Sequence, residues 1–89
     1  MKAVITVIGQ DKIGIIYNVT SVLAEYDVNI LDINQTIMQE VFTMIMVVDL
    51  AKMPVSFEEL QKKLAQKGEE IGLSIRIQHE GIFNAMSEI

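Results

Sequence analysis

An α+β sandwich of order βαββαβ, built on a four-stranded antiparallel sheet, is the fold this sequence predicts. Three observations predict it. Apolar residues recur at helical spacing in two windows, one from Ile15 and one from Ser56. Four short apolar windows flank and separate them, so the order reads strand, helix, strand, strand, helix, strand. Two of those strands, residues 2–8 and 41–50, are apolar on both faces, whereas 31–37 and 73–79 alternate. In the split βαβ, or ferredoxin-like, arrangement the sheet order is 4-1-3-2, which buries strands 1 and 3 and leaves 2 and 4 at the edges. The doubly apolar strands are the two that this order places in the centre.

Each element has its own warrant. The first strand carries Val4, Ile5, Val7 and Ile8 and stops at Gly9. The first helix buries Ile15, Val19, Val22, Leu23 and Tyr26 on one face. Asp11 is placed to cap it by accepting the N–H of Ile13 or Gly14, and "DVN" near Asp27 ends it. In the second strand Leu31, Ile33 and Ile37 face one way and Asp32, Asn34 and Thr36 the other, which predicts a half-buried strand. "MQE" makes a tight reversal into "VFTMIMVVDL". Ser56 and Glu59 form a capping box for the second helix, with Val55 and Leu60 as its hydrophobic staple. Its buried stripe is Phe57, Leu60, Leu64 and Ile71, and Gly72 suits the left-handed residue beyond the helix end. The last strand alternates Leu73, Ile75 and Ile77 against Ser74, Arg76 and Gln78. The chain is read as one domain over 1–89, a βαββαβ core over 1–80 and a helical tail over 81–89 with Ile82, Phe83, Met86 and Ile89 on one face.

With both helices on one side, the other sheet face carries Val4, Thr6, Ile8, Val41, Thr43, Ile45 and Val47. An apolar face of that kind needs cover. The tail or a second copy of the chain can supply it. A composition 51% apolar in 89 residues favours a homodimer, because so small a domain buries a modest share of its surface alone.

Composition excludes several classes. The net charge of -5 argues against nucleic-acid backbones and anionic membranes, which need clustered Lys and Arg. No apolar run reaches the length of a membrane span, and the N-terminus lacks a signal peptide's layout, so a cytoplasmic location is expected. The chain has no cysteine, which removes disulfides, thiolate catalysis and cysteine metal sites. A single histidine, His79, makes no multi-histidine metal site. Glu58 with Glu59 and Glu69 with Glu70 read as a solvated helix face. An acylphosphatase-like enzyme needs an arginine at the first turn, where Lys12 is the sole cation and the one arginine is Arg76. An RNA-recognition sheet needs exposed aromatics, and its central strands hold Phe42 alone. No nucleophile has a base and an orienting group near it in sequence. Neither catalytic residues, nor a metal, nor a cofactor is expected.

What remains is the turn "IGQDKIGII" and the segment "DVNI". Free N–H groups at Ile13, Gly14 and Ile15 would make an anion-friendly helix N-terminus, and Gly14 admits a ligand close to the backbone. Asn29, followed by Ile30, both donates and accepts hydrogen bonds. Such groups suit a zwitterion, with N–H groups for its carboxylate and Asp11 or a side-chain carbonyl for its ammonium. The helix start and the start of the second strand can meet across a dimer. Each residue also has a plainer role: Asp11 as a cap, Gly14 as a packing residue, Asn29 as a turn residue.

The stretch "VIGQDKIGIIYNVTSVLAEYDVNILDINQTI" resembles the first half of an ACT domain. The family's G-x-D-x-x-G turn is matched by Gly9, Asp11 and Gly14, and its V-N-I by Val28, Asn29 and Ile30. The later β-α-β order extends the resemblance to about residue 79. The tail "IFNAMSEI" resembles small stand-alone members of the glycine-cleavage-repressor type. The resemblance implies a regulatory domain that senses amino acids, commonly as a dimer, and acts on a separate enzyme or regulator. Ile13 stands where the family often has proline, which makes the turn less rigid. Gly9 stands where some serine-sensing members have a polar ligand contact, and it has no side chain to make that contact. The alternative is a protein–protein interaction module with no small ligand.

Overall fold

In the computed structural model, which describes residues 1–81, the chain runs β1 (Lys2–Gln10), α1 (Ile15–Glu25), β2 (Asn29–Met38), β3 (Val41–Asp49), α2 (Phe57–Ile71) and β4 (Ser74–His79). The sheet order is β2-β3-β1-β4, and every neighbouring pair is antiparallel. This is the expected ferredoxin-like order. The helical tail expected over 81–89 lies, from residue 82 onward, outside the described residues.

The core forms because the odd residues of β1 and the even residues of β3 share one face. Ala3, Ile5 and Val7 there are fully buried with Met44, Met46 and Val48. Ile75 and Ile77 of β4 extend that face. The helices cover it with Ile15, Val19, Val22 and Leu23 from α1 and Leu60 and Leu64 from α2. Ser56 caps α2, its side chain accepting from Glu59 N at 3.2 Å, and Gly72 ends it at φ 73°. The opposite face pairs Val4 with Val47, Thr6 with Ile45 and Ile8 with Thr43. On it Ile8, Val41 and Ile45 are 45%, 48% and 38% exposed, so the described residues leave apolar surface open there.

Three local expectations are corrected. Gly9 does not end β1, which continues through Gln10. Its role is close packing, since a Cβ there would lie 2.2 Å from Leu73 Cδ2. The second strand is not half-buried: nine of its ten residues are exposed and Ile30 is intermediate. The helices bury the inner faces of β1, β3 and β4 and leave this edge uncovered. Leu31 does not share a face with Ile33 and Ile37 either. The register shifts between Ile30 and Asp32, which makes Leu31 the extra residue of a β-bulge. In α2 the buried stripe is Leu60, Leu64 and Gly68, with Phe57 and Ile71 partly covered.

The β2–β3 reversal places Gln39 at φ 50° and Glu40 at φ 72°. A two-residue hairpin loop with both φ positive favours Asn-Gly, and neither residue present is suited to it. Gln39→Asn combined with Glu40→Gly is expected to add about 1 kcal/mol of stability, a rise of roughly 4–8 °C in Tm for a domain of this size. A thermal melt with an unchanged midpoint would show that the loop stores no strain.

Candidate functional site

The β1–α1 turn is fixed from both sides. Asp11 N donates to Glu40 O at 2.8 Å, which ties the end of β1 to the β2–β3 reversal. Gly14 is the N-cap of α1, left-handed at φ 89°. Asp11 is therefore not the cap, contrary to expectation, and no side chain caps this helix. The reason is position: Asp11 stands three residues before the N-cap and is drawn toward Glu40 by its own N–H. The free N–H groups shift accordingly. The first bond of α1 runs from Asn18 N to Gly14 O at 2.9 Å, so the groups without a helical acceptor are those of Gly14, Ile15, Ile16 and Tyr17. Ile13 lies before them and is fully exposed. Asn18 Nδ2 also donates to Gly14 O at 2.7 Å, which fixes the peptide that opens the helix.

Beside this turn is a cleft of about 350 Å³. Asp11, Lys12, Gly14 and Ile15 form its rim, Ile16 and Tyr17 one wall, Gln35 and Ile37 of β2 the other, and Phe42 lies beneath. Helix α1 has no acidic residue in its first turn, so its partial positive charge is unopposed within the helix. Asp11 is exposed, and among the described residues its carboxylate has no side-chain partner. Lys12, the cation of the turn, donates from Nζ to Ile71 O at 2.6 Å, across to the end of α2. The cleft thus borders the free end of α1, a carboxylate and apolar side chains.

Asn29 and Ile30 are elsewhere in the chain. Asn29 pairs with Asp49, which pairs with Lys2, whereas the turn follows Gln10. The length of β1 separates them, about 26 Å at strand rise. Asn29 lines a different cleft of about 470 Å³ with Asp27, Asp49, Ala51 and Lys52. There Asp49 Oδ1 accepts from Ala51 N at 3.0 Å and lies 3.7 Å from the N-terminal amine. His79 stacks on Phe57 with ring centroids 4.1 Å apart. Among the described residues no three His, Cys, Asp or Glu side chains come together to hold a metal, and no helix is long and apolar enough to cross a membrane.

A family model for the ACT domain matches residues 2–78. The chain belongs to the ACT-domain family. A UPF0237 protein of Clostridium acetobutylicum is 60% identical to it over 89 residues, 100% of each chain. An ACT domain protein from Streptococcus pneumoniae superposes with a TM-score of 0.82 at 41% identity, covering 93% of both chains. A putative glycine cleavage system transcriptional repressor superposes with a TM-score of 0.76 over 86% of this chain and 44% of its own, and at 23% identity that likeness is one of fold. ACT domains are typically regulatory modules for small ligands.

Of the residues named from the sequence of this ACT domain, Asp11, Gly14 and Ile15 share the cleft. The walls were missed. Ile16 and Tyr17 had a signal, being apolar residues off the buried stripe of α1. Lys12 had none toward Ile71, because that contact joins residues 59 apart in sequence.

Proposed function

We propose that this ACT domain is a non-enzymatic, cytoplasmic regulatory module that binds an amino acid at the β1–α1 turn and signals to a separate enzyme or regulator. The observation that carries the reading is the turn itself. An unopposed helix N-terminus and an unpaired carboxylate, Asp11, border one cleft. That pairing suits the carboxylate and ammonium of one small zwitterion. Ile13, Gly14 and Ile15 supply the surrounding backbone. Asn29 and Ile30 complete the site from a second copy, since about 26 Å of strand parts them from the turn within one chain. Support for a second copy is the apolar surface that the described residues leave open: Ile8, Val41 and Ile45 on the sheet, Ile33 and Ile37 along β2.

A thermal-shift screen against the twenty common amino acids tests the reading. A ligand at about 100 times its Kd should add roughly 2.7 kcal/mol. Asp11→Asn removes the charge meant for the ammonium, and Asn29→Ala removes hydrogen bonds. Each is expected to weaken binding about tenfold or more, equal to roughly 1.4 kcal/mol. The two exposed positions should leave the fold intact. Mixing the two variants should restore binding at about one quarter of the sites, because half of the dimers are then mixed and each holds one intact site. Absence of that rescue would place Asn29 outside the site, and equal affinity in all proteins would leave the turn without a ligand role. One observation favours a second reading, a docking module for another protein: β2 is an edge strand exposed along its length, with Ile37 and Met38 59% and 69% exposed. A screen in which no amino acid binds at millimolar concentration would select it.

A further inference from the structure

Lys12 answers two demands at once. It stands in the turn, on the rim of the cleft, yet its ammonium sits at the far end of α2, 2.6 Å from Ile71 O. That helix end is short of positive charge. Helix α2 has no basic residue in its last turn, and Glu69 and Glu70 stand there against the negative end of the helix dipole. Within α2, Lys67 pairs with Glu70 at 3.2 Å, one turn short of the end; at the Ile71 carbonyl itself the cation comes from another element, as Lys12. The fit is close, since a Cβ on Gly72 would lie 3.2 Å from Lys12 Nζ. Gly72 is thus held to glycine by its φ of 73° and crowded by the ammonium as well.

From this sharing we infer that Lys12 is a latch between the cleft and the α2–β4 junction. When the cleft is empty the ammonium closes the end of α2. When a small carboxylate enters, the ammonium turns to it and releases Ile71 O. The junction that Lys12 closes is compact: Gly72 N–H and Leu73 N, the latter at 2.8 Å, both donate to Gly68 O, and β4 starts at Ser74. Occupancy of the cleft would therefore be read out as loosening of that junction, and by linkage a partner that holds the junction open would raise the affinity of the cleft. The inference rests on the amino-acid reading for its anion, and it names the route by which that site would signal.

Amide hydrogen exchange at Gly72 and Leu73 tests it in two stages. In the ligand-free protein, Lys12→Met keeps the stem and removes the charge. Exchange at the two amides should quicken roughly three- to tenfold while the β1–β3 ladder, for example Met44, stays unchanged. Lys12→Arg should keep the wild-type rates. Unchanged exchange in Lys12→Met overturns the latch whatever the cleft binds. In the second stage the wild type is measured with each common amino acid at about ten times its Kd, where roughly nine-tenths of the sites are filled. The two amides should then approach the Lys12→Met rates, and Lys12→Met should bind more weakly. An amino acid that binds without changing those rates overturns the latch and leaves the amino-acid reading standing. If no amino acid binds, that reading fails, and the latch falls with it for want of an anion.

Discussion

Phe42→Ala is expected to destabilise the protein by about 3–5 kcal/mol, the range for removing a buried aromatic ring. The ring lies at the hairpin end of the central strand β3. It is 4% exposed, opposite Gly9 of β1 on one side and Ile37 of β2 on the other. Its loss removes packing from the core and the floor from the cleft together. A small domain holds about 5–15 kcal/mol in all, so roughly a fifth or more of that stability is at stake. Ile37→Ala is the matched comparison, because Ile37 is its direct cross-strand neighbour and is 59% exposed. Its cost should be under about 1 kcal/mol. Urea unfolding of the two variants checks the pair. Near-equal costs would mean that the inner side of β2 is covered in solution by something the described residues do not provide.

That contrast also marks what the sequence could and could not disclose. The strand and helix order was legible because side-chain pattern is local: a period of two in β2 and β4, unbroken apolar runs in β1 and β3, and a period near 3.6 in α1 and α2. The doubly apolar β1 and β3 placed themselves in the centre for the same reason. The exposure of β2 was not legible. Leu31, Ile33 and Ile37 alternate as a half-buried strand should, and the period does not say whether a helix reaches far enough to cover the edge. The bulge at Leu31 depends on pairing with Val47 and Val48, which no pattern within β2 reports. In the site, the turn was legible through Gly9, Asp11 and Gly14, although Asp11 proved not to cap the helix. The cap reading failed because the pull on Asp11 comes from Glu40, on a hairpin 29 residues later in sequence. Lys12 escaped for a related reason, since Ile71 approaches it in space and not in sequence; Gly68 escaped because the return of Leu73 and Ile75 past the helix depends on the turn at Gly72, which no period reports.

Gly68→Ala separates a helix argument from a packing argument. In an exposed helix the exchange would add about 1 kcal/mol, because alanine loses less backbone entropy than glycine. Here a Cβ would lie 2.6 Å from Leu73 O and 3.3 Å from Ile75 Cγ1. The nearer atom is backbone, and it cannot retreat cheaply, because Leu73 N is already bonded to Gly68 O at 2.8 Å. Overpacking of this kind costs about 1–3 kcal/mol and occasionally more, and a backbone clash belongs at the upper end. The packing term therefore outweighs the helix term, and the net loss should be about 2 kcal/mol. Tm should fall by roughly 8 °C or more. The damage should also be local, with faster amide exchange at Gly72 and Leu73, since α2 and β4 must part there to admit the methyl group. Thermal melts and exchange on the one variant read both effects. A gain of stability close to the helix term alone would mean that α2 and β4 lie further apart in solution than their close approach at Gly68 requires.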